Sequence, residues 1–202
     1  MGWTRLRPRT MTFLNLHTHH PEGEGEKAIV QGRDSWGIHP WDATEDSLNE
    51  NPPLYIKAIG ESGLDRLCDT PYELQLKVFA MHIGFSEERQ VPLIIHCVKA
   101  IDDILRLHRE TKPSQPWIIH GFRGKPQQLH SLLKHGIFVS FGFHHHPQSL
   151  LECPSDSFFL ESDIEMLPIS LLYEKVAISR NISIEELRSQ MEKNFARIQL
   201  IF

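Results

Sequence analysis

Two histidines one residue apart, His17 and His19, begin a series of metal-capable side chains in this 202-residue chain. Glu61, His96, His120 and Asp163 follow, each at the end of a short apolar run. On an extended strand, residues i and i+2 point to the same side about 7 Å apart, so His17 and His19 can grip one cation. Glu61 offers two oxygens with several lone-pair directions and could bridge two cations. Each residue also has a plainer reading. The histidine pair could be a polar strand end, Glu61 an exposed loop acid, His96 and His120 hydrogen-bonded core residues, and Asp163 a helix cap. As an ordered series at strand ends they point to a metal centre. Imidazole with carboxylate suits Zn²⁺, Mn²⁺, Fe²⁺ or Mg²⁺, the nitrogen donors tilting away from Mg²⁺.

The elements that position these groups are short. Runs ending at Leu16, Ile59, Ile95, Ile119, Phe141 and Leu160 are rich in Ile, Leu and Phe, as buried parallel strands are. Between them, residues 71–88, 100–108 and 126–135 space their apolar positions helically. A last helix is predicted to open at Ser183, with Glu186 three residues on. Strand and helix alternate, which predicts an α/β fold. Because so many strands carry an ionisable residue at the carboxyl end, a TIM-type (β/α) barrel, whose strand ends converge on one face, is preferred over an open sheet.

Composition narrows the function. The net charge of −5 argues against a protein-wide basic surface for duplex nucleic acid. Cys68, Cys97 and Cys153 are too few and scattered for a disulfide framework, and predict reduced thiols in a cytoplasmic protein. No apolar stretch is long enough to cross a membrane. Residues 11–202 read as a single domain, and residues 1–10, with Arg5, Arg7 and Arg9 but no apolar run, as a disordered extension.

Six separated words resemble the TatD family of metal-dependent hydrolases and deoxyribonucleases, and occur in that family's order. They are Asn15-Leu16-His17-Thr18-His19, Gly37-Ile38-His39-Pro40, Ile59 to Asp65, Pro92 to His96, Ile118 to Gly124, and Leu160-Glu161-Ser162-Asp163. The resemblance implies that His17, His19, Glu61 and Asp163 hold one metal, and that Glu61, His96 and His120 hold a second, Glu61 being shared. It implies a TIM-type barrel and hydrolysis of phosphodiester or related ester bonds, with DNA as one possible substrate. There are departures. Asn15 stands where the family usually has Asp, and Val98 where an Arg is common. The stretch before Gly37 is too short for a full extra β/α unit, so a shortened or distorted barrel of about seven parallel strands is expected.

On this basis two cations about 3.5–4 Å apart would orient an activated water and offset charge on the reacting oxygens. Asp163 is assigned to accept the water's proton, and Glu61 to hold the pair together. His39, Arg123 and Lys125 are expected to contact substrate. His144-His145-His146 reads as a solvated polar loop. Two alternatives fit the same residues: a mononuclear amidohydrolase acting on C–N bonds, and a barrel that binds metal or nucleotide without turnover.

Overall fold

Strands rich in Ile, Val and Leu need cover on both faces, and parallel strands flanked by helices supply it. In the computed structural model, which describes residues 12–200, the strands are β1 (Phe13–Thr18), β2 (Glu26–Val30), β3 (Ser35–Trp36), β4 (Ala58–Asp65), β5 (Leu93–Val98), β6 (Trp117–Ile119), β7 (Phe138–Phe141) and β8 (Phe158–Leu160). The extension proposed for residues 1–10 lies outside the described residues. All pairings are parallel. β1 and β2 form one ladder, and β3 to β8 form a second in chain order. Two isolated parallel bridges, Gln31 with Ser35 and Thr18 with Asp163, connect the ladders at either end. The strands therefore follow one another as in a TIM-type barrel, with two thin seams instead of a continuously closed sheet.

Helices α1 (Tyr72–Arg89), α2 (Ile101–Thr111), α3 (Pro126–Lys134), α4 (Pro147–Glu152) and α5 (Ile169–Arg180) follow β4 to β8 in turn, and α6 (Ile184–Arg197) comes last. The expected shortening is real, but it falls on helices. Eight strands are present, β3 being only two residues long. Residues 19–25 link β1 to β2, and residues 31–34 link β2 to β3, without a helix in either link. A parallel return usually takes a dozen residues or more because it carries a helix. Here residues 19–25 make the return, and the backbone N–H of Phe13 donates to the Gly25 carbonyl at 2.8 Å.

The C-terminal helices close the outside of β1. Ser183 caps α6, its hydroxyl accepting from the Glu186 N–H at 3.1 Å while the Glu186 carboxylate accepts from the Ser183 N–H at 2.8 Å. The Tyr173 hydroxyl on α5 donates to the Leu14 carbonyl at 2.7 Å and accepts from the Leu14 N–H at 3.2 Å. Arg188 on α6 donates to the Thr12 carbonyl at 2.8 Å. Buried Leu16, Ile29, Ile59, Ile94, Ile118, Val139 and Phe159 belong to one continuous apolar core that carries the strands. No helix among the described residues is long and apolar enough to cross a membrane.

Candidate metal centre

The strand ends bring the six sequence-predicted ligands together. His17 lies fully buried one residue before the end of β1, His19 just beyond that strand, His96 within β5 with two strand residues still to follow, and His120 directly after β6. Glu61 is inside β4, not on a loop beyond it, and is almost wholly buried. Its placement needs small neighbours. A Cβ on Gly37 would lie 2.6 Å from the Glu61 carbonyl oxygen, and one on Gly60, whose φ is +135°, would collide with the Ile94 backbone. Asp163 follows β8 with φ +54°, a left-handed conformation that Asp tolerates better than most residues. Its backbone is pinned to β1 by two hydrogen bonds of 3.0 Å, Asp163 N–H to His17 O and His19 N–H to Asp163 O.

The two oxygens of Glu61 face two sets of donors. Oε2 lies 3.2 Å from His17 Nε2 and 3.3 Å from His19 Nε2. Asp163 Oδ1 completes that side, 3.8 Å and 3.6 Å from the same two nitrogens. Oε1 lies 2.7 Å from His96 Nδ1, 2.7 Å from His120 Nε2 and 3.3 Å from His39 Nε2. Burial alone would raise the Glu61 pKa, but His120, His17 and His19 pull it far below the usual carboxylate range. Burial opposes a charge on His120, yet the Glu61 and Glu161 carboxylates raise its pKa well above the ordinary imidazole value. The hydrogen bond to Glu61 likewise raises that of His19.

This donor set fits divalent cations better than a proton network. His96 Nδ1 lies 3.1 Å from His39 Nε2 and 3.4 Å from His120 Nε2, while all three nitrogens crowd one carboxylate oxygen. A neutral imidazole has one N–H, so lone pairs in this group must face one another or all point at a common centre. Buried His17 Nδ1 and His96 Nε2 have no hydrogen-bond partner among the described residues. His96 Nε2 is 3.5 Å from Asp65 Oδ2, close enough for attraction but not for a good hydrogen bond. Potential ligand atoms of His17, His19, Glu61 and Asp163 all lie within 4.8 Å of one another, as do those of His39, Glu61 and His96, and those of His120, Glu161 and Asp163.

Other sequence-predicted residues fall less uniformly. His39 stands against the cluster itself, closer than a substrate contact at the rim. Arg123 and Lys125 are exposed on the segment between β6 and α3, and neither lines the cavity over the cluster. Of the three consecutive histidines only His144 is solvated, 2.9 Å from Glu165. His145 is buried with Nδ1 2.7 Å from the Gly142 carbonyl, and His146 caps α4 by accepting from the Ser149 N–H. The polar-loop reading therefore holds for one of the three.

Three functional neighbours escaped sequence reasoning. Glu161 is fully buried, 3.3 Å from His120 Nδ1, and its other oxygen accepts from the Ser140 hydroxyl. Its spacing of two residues from Asp163 was the available signal. Asp65 accepts from the Trp41 indole N–H at 2.7 Å. Gln31 Oε1 accepts from the Glu61 N–H at 2.9 Å. A cavity of about 590 Å³, lined among others by His19, His39, Trp41, His96, His120 and Asp163, opens above the cluster.

Comparison with known proteins accords with this geometry. Residues 28–199 match the family model described as TatD related DNase. The chain is 28% identical over 193 residues to the metal-dependent hydrolase YabD of Bacillus subtilis, covering 80% of this chain and 75% of that protein. It is 34% identical over 146 residues to the 3'-5' ssDNA/RNA exonuclease TatD of Salmonella typhimurium, covering 64% of this chain but only 53% of that protein. Its fold is similar to the crystal structure of the TatD homologue YJJV of Escherichia coli, with TM-score 0.71 and 19% identity over 86% of this chain and 76% of that one.

Proposed function

The chain belongs to the TatD-related DNase family, metal-dependent hydrolases, and from that premise we propose that it hydrolyses phosphodiester bonds of nucleic acid. The observation that carries the proposal is the division of Glu61: one oxygen faces His17, His19 and Asp163, the other His96, His120 and His39. His17, His19, Glu61 and Asp163 would hold one divalent cation, and Glu61, His96 and His120 a second. Bound there, the cations would acidify a water and offset charge on the phosphoryl oxygens.

The chain's own residues do the rest. Asp163 has a side chain 25% exposed against 6% for Glu61, so it is the carboxylate of the cluster that a water can reach. It takes that water's proton. Glu61, walled in by imidazoles, stays ionised and fixes their spacing. Glu161 accepts from His120 Nδ1 and so turns Nε2 toward the centre. His39 Nδ1 accepts from the Trp41 N–H at 3.2 Å, which leaves the ring proton of a neutral imidazole on Nε2. That N–H lies 3.3 Å from Glu61 Oε1, so His39 is placed to donate to the carboxylate at the heart of the cluster.

The test is hydrolysis of bis(p-nitrophenyl) phosphate and of a short oligonucleotide by protein supplied with Mn²⁺ or Zn²⁺, beside a panel of cyclic amides. Turnover of the phosphodiesters, lost in His96→Ala and on chelation, is expected. Turnover of the amides alone would replace the proposal with an amidohydrolase.

A further inference from the structure

We propose that Trp41 is a stacking platform for one unpaired nucleobase of the substrate, a role that rests on the phosphodiesterase reading of the centre beneath it. Trp41 lines the cavity and is 62% exposed. A large apolar side chain left in water and yet held in place is unusual. Its indole N–H donates to buried Asp65 at 2.7 Å, its backbone N–H to His39 Nδ1 at 3.2 Å, and its carbonyl accepts from the Thr70 hydroxyl at 3.1 Å. The ring is thus fixed before any ligand arrives, which spares the ordering cost that a mobile side chain would bear on binding.

Its position relates it to the reacting bond. The indole centroid lies 4.9 Å from that of His39 and 6.3 Å from that of His96. A phosphate at the centre would leave its attached nucleoside beside this ring. The rest of the lining says how that nucleoside must be held. No Lys or Arg is among the described residues that line the cavity, whereas Asp42 and Glu50 are, together with apolar Ile38 and Ile164. Cationic grip on neighbouring phosphates is therefore absent from the described lining, and the base must supply the affinity through its π-face. In a duplex both faces of an internal base are covered by its neighbours. Only an unpaired or terminal base can offer one to the indole.

The experiment compares a tetrathymidylate with an abasic tetranucleotide analogue of equal phosphate number, so that charge is constant and only the bases differ. In the metal-loaded wild type the abasic analogue should show a KM at least about 10-fold higher, the range expected for one stacked base. Trp41→Ala should bring that ratio close to one, and Trp41→Phe, which keeps a face but loses the N–H, should retain most of it. In Zn²⁺-loaded protein, a tetrathymidylate with phosphorothioate linkages, used to slow cleavage, should quench tryptophan fluorescence in the wild type and not in Trp41→Phe. An unchanged KM ratio in Trp41→Ala overturns the proposal, as does equal quenching in the two proteins. A fall in kcat on both substrates with the ratio intact overturns it too, and makes Trp41 a prop for His39 and Asp65. If no phosphodiester is cleaved by any of these proteins, the hydrolase reading fails while the fluorescence comparison still decides the role of Trp41.

Discussion

Replacing Asn15 by Asp tests whether this chain has exchanged a charge for a hydrogen bond beside its metal centre. Asn15 is fully buried two residues before His17. Its Nδ2 donates to Glu26 Oε1 at 2.5 Å and to the Ser162 hydroxyl at 2.8 Å, while Oδ1 accepts from the Ser162 N–H at 3.1 Å. In Asn15→Asp an oxygen replaces the donor opposite Glu26. At 2.5 Å two unit charges repel by about 7 kcal/mol at an effective dielectric constant of 20. Glu26 is only half-buried, so water and small shifts reduce this, and a loss of about 3 kcal/mol at pH 8 is expected. For a domain of this size that lowers Tm by roughly 6–12 °C. The pair escapes repulsion by sharing a proton, which raises its apparent pKa in the folded state above the value of about 4 for free carboxyls. The penalty is therefore full above the raised value and shrinks as pH falls through it. Urea unfolding at pH 8 and pH 5 reads both effects, and adding Glu26→Gln to Asn15→Asp should restore most of the loss. Wild-type stability of Asn15→Asp at pH 8, or no gain in the double variant, would refute the reasoning.

Other expectations follow from the same contacts. Glu61→Ala should weaken both cation positions in a manganese titration, and one equivalent retained at full affinity would deny its shared role; His144→Ala, whose ring is exposed and paired with Glu165, should keep wild-type metal content. Glu161→Gln should lower metal affinity by roughly 10–100-fold, the usual effect of removing the carboxylate behind a ligating histidine, and unchanged affinity would show that it does not orient His120. In metal-free protein, the raised pKa of His120 stabilises the fold below about pH 6.5 and this is lost as pH rises through the folded value, while the lowered pKa of Glu61 stabilises it above about pH 4.5. Its Tm should therefore fall between pH 6.5 and 9, and calorimetry showing a steady rise over that range would contradict the assignment.

The parts of the fold that could be read from the sequence are those where one physical signal dominates. The apolar runs before His96, His120 and Glu161 became β5, β6 and β8, and Ser183 with Glu186 marked the start of α6, because burial on both faces and a reciprocal cap each leave a local pattern. β2 and β3 were not anticipated. Glu26-Lys27-Ala28-Ile29-Val30 mixes charge with apolar residues, and Ser35-Trp36 is too short to show any period. For the site, residue types and strand ends indicated the six clustered residues, since metal-capable groups after apolar runs need only topology to meet. The missed residues are held by contacts between distant segments. Gln31 reaches the Glu61 N–H, and Trp41 reaches Asp65, through hydrogen bonds that leave no trace in local composition. Arg123 and Lys125 show the converse, for proximity to His120 in sequence did not turn their side chains into the cavity.

The loss of helices between β1 and β3 raises the question of what keeps the centre in register there. In a complete β/α barrel, continuous ladders and covering helices fix the strand ends. Here both seams are spanned by a side-chain amide. At the seam between β8 and β1, Asn15 bonds the Ser162 backbone and hydroxyl, one residue before Asp163. At the seam between β2 and β3, Gln31 Oε1 accepts from the Ser35 hydroxyl at 2.7 Å and from the Glu61 N–H at 2.9 Å. Each amide thus bonds to a residue that is a central cluster member or its immediate neighbour. An amide can donate and accept at once without bringing a charge to the acidic side of the cluster, which a carboxylate at either position would do. With Glu26 2.5 Å away across the helix-free return, the side chain at position 15 has to be a neutral donor, which Asn15 is.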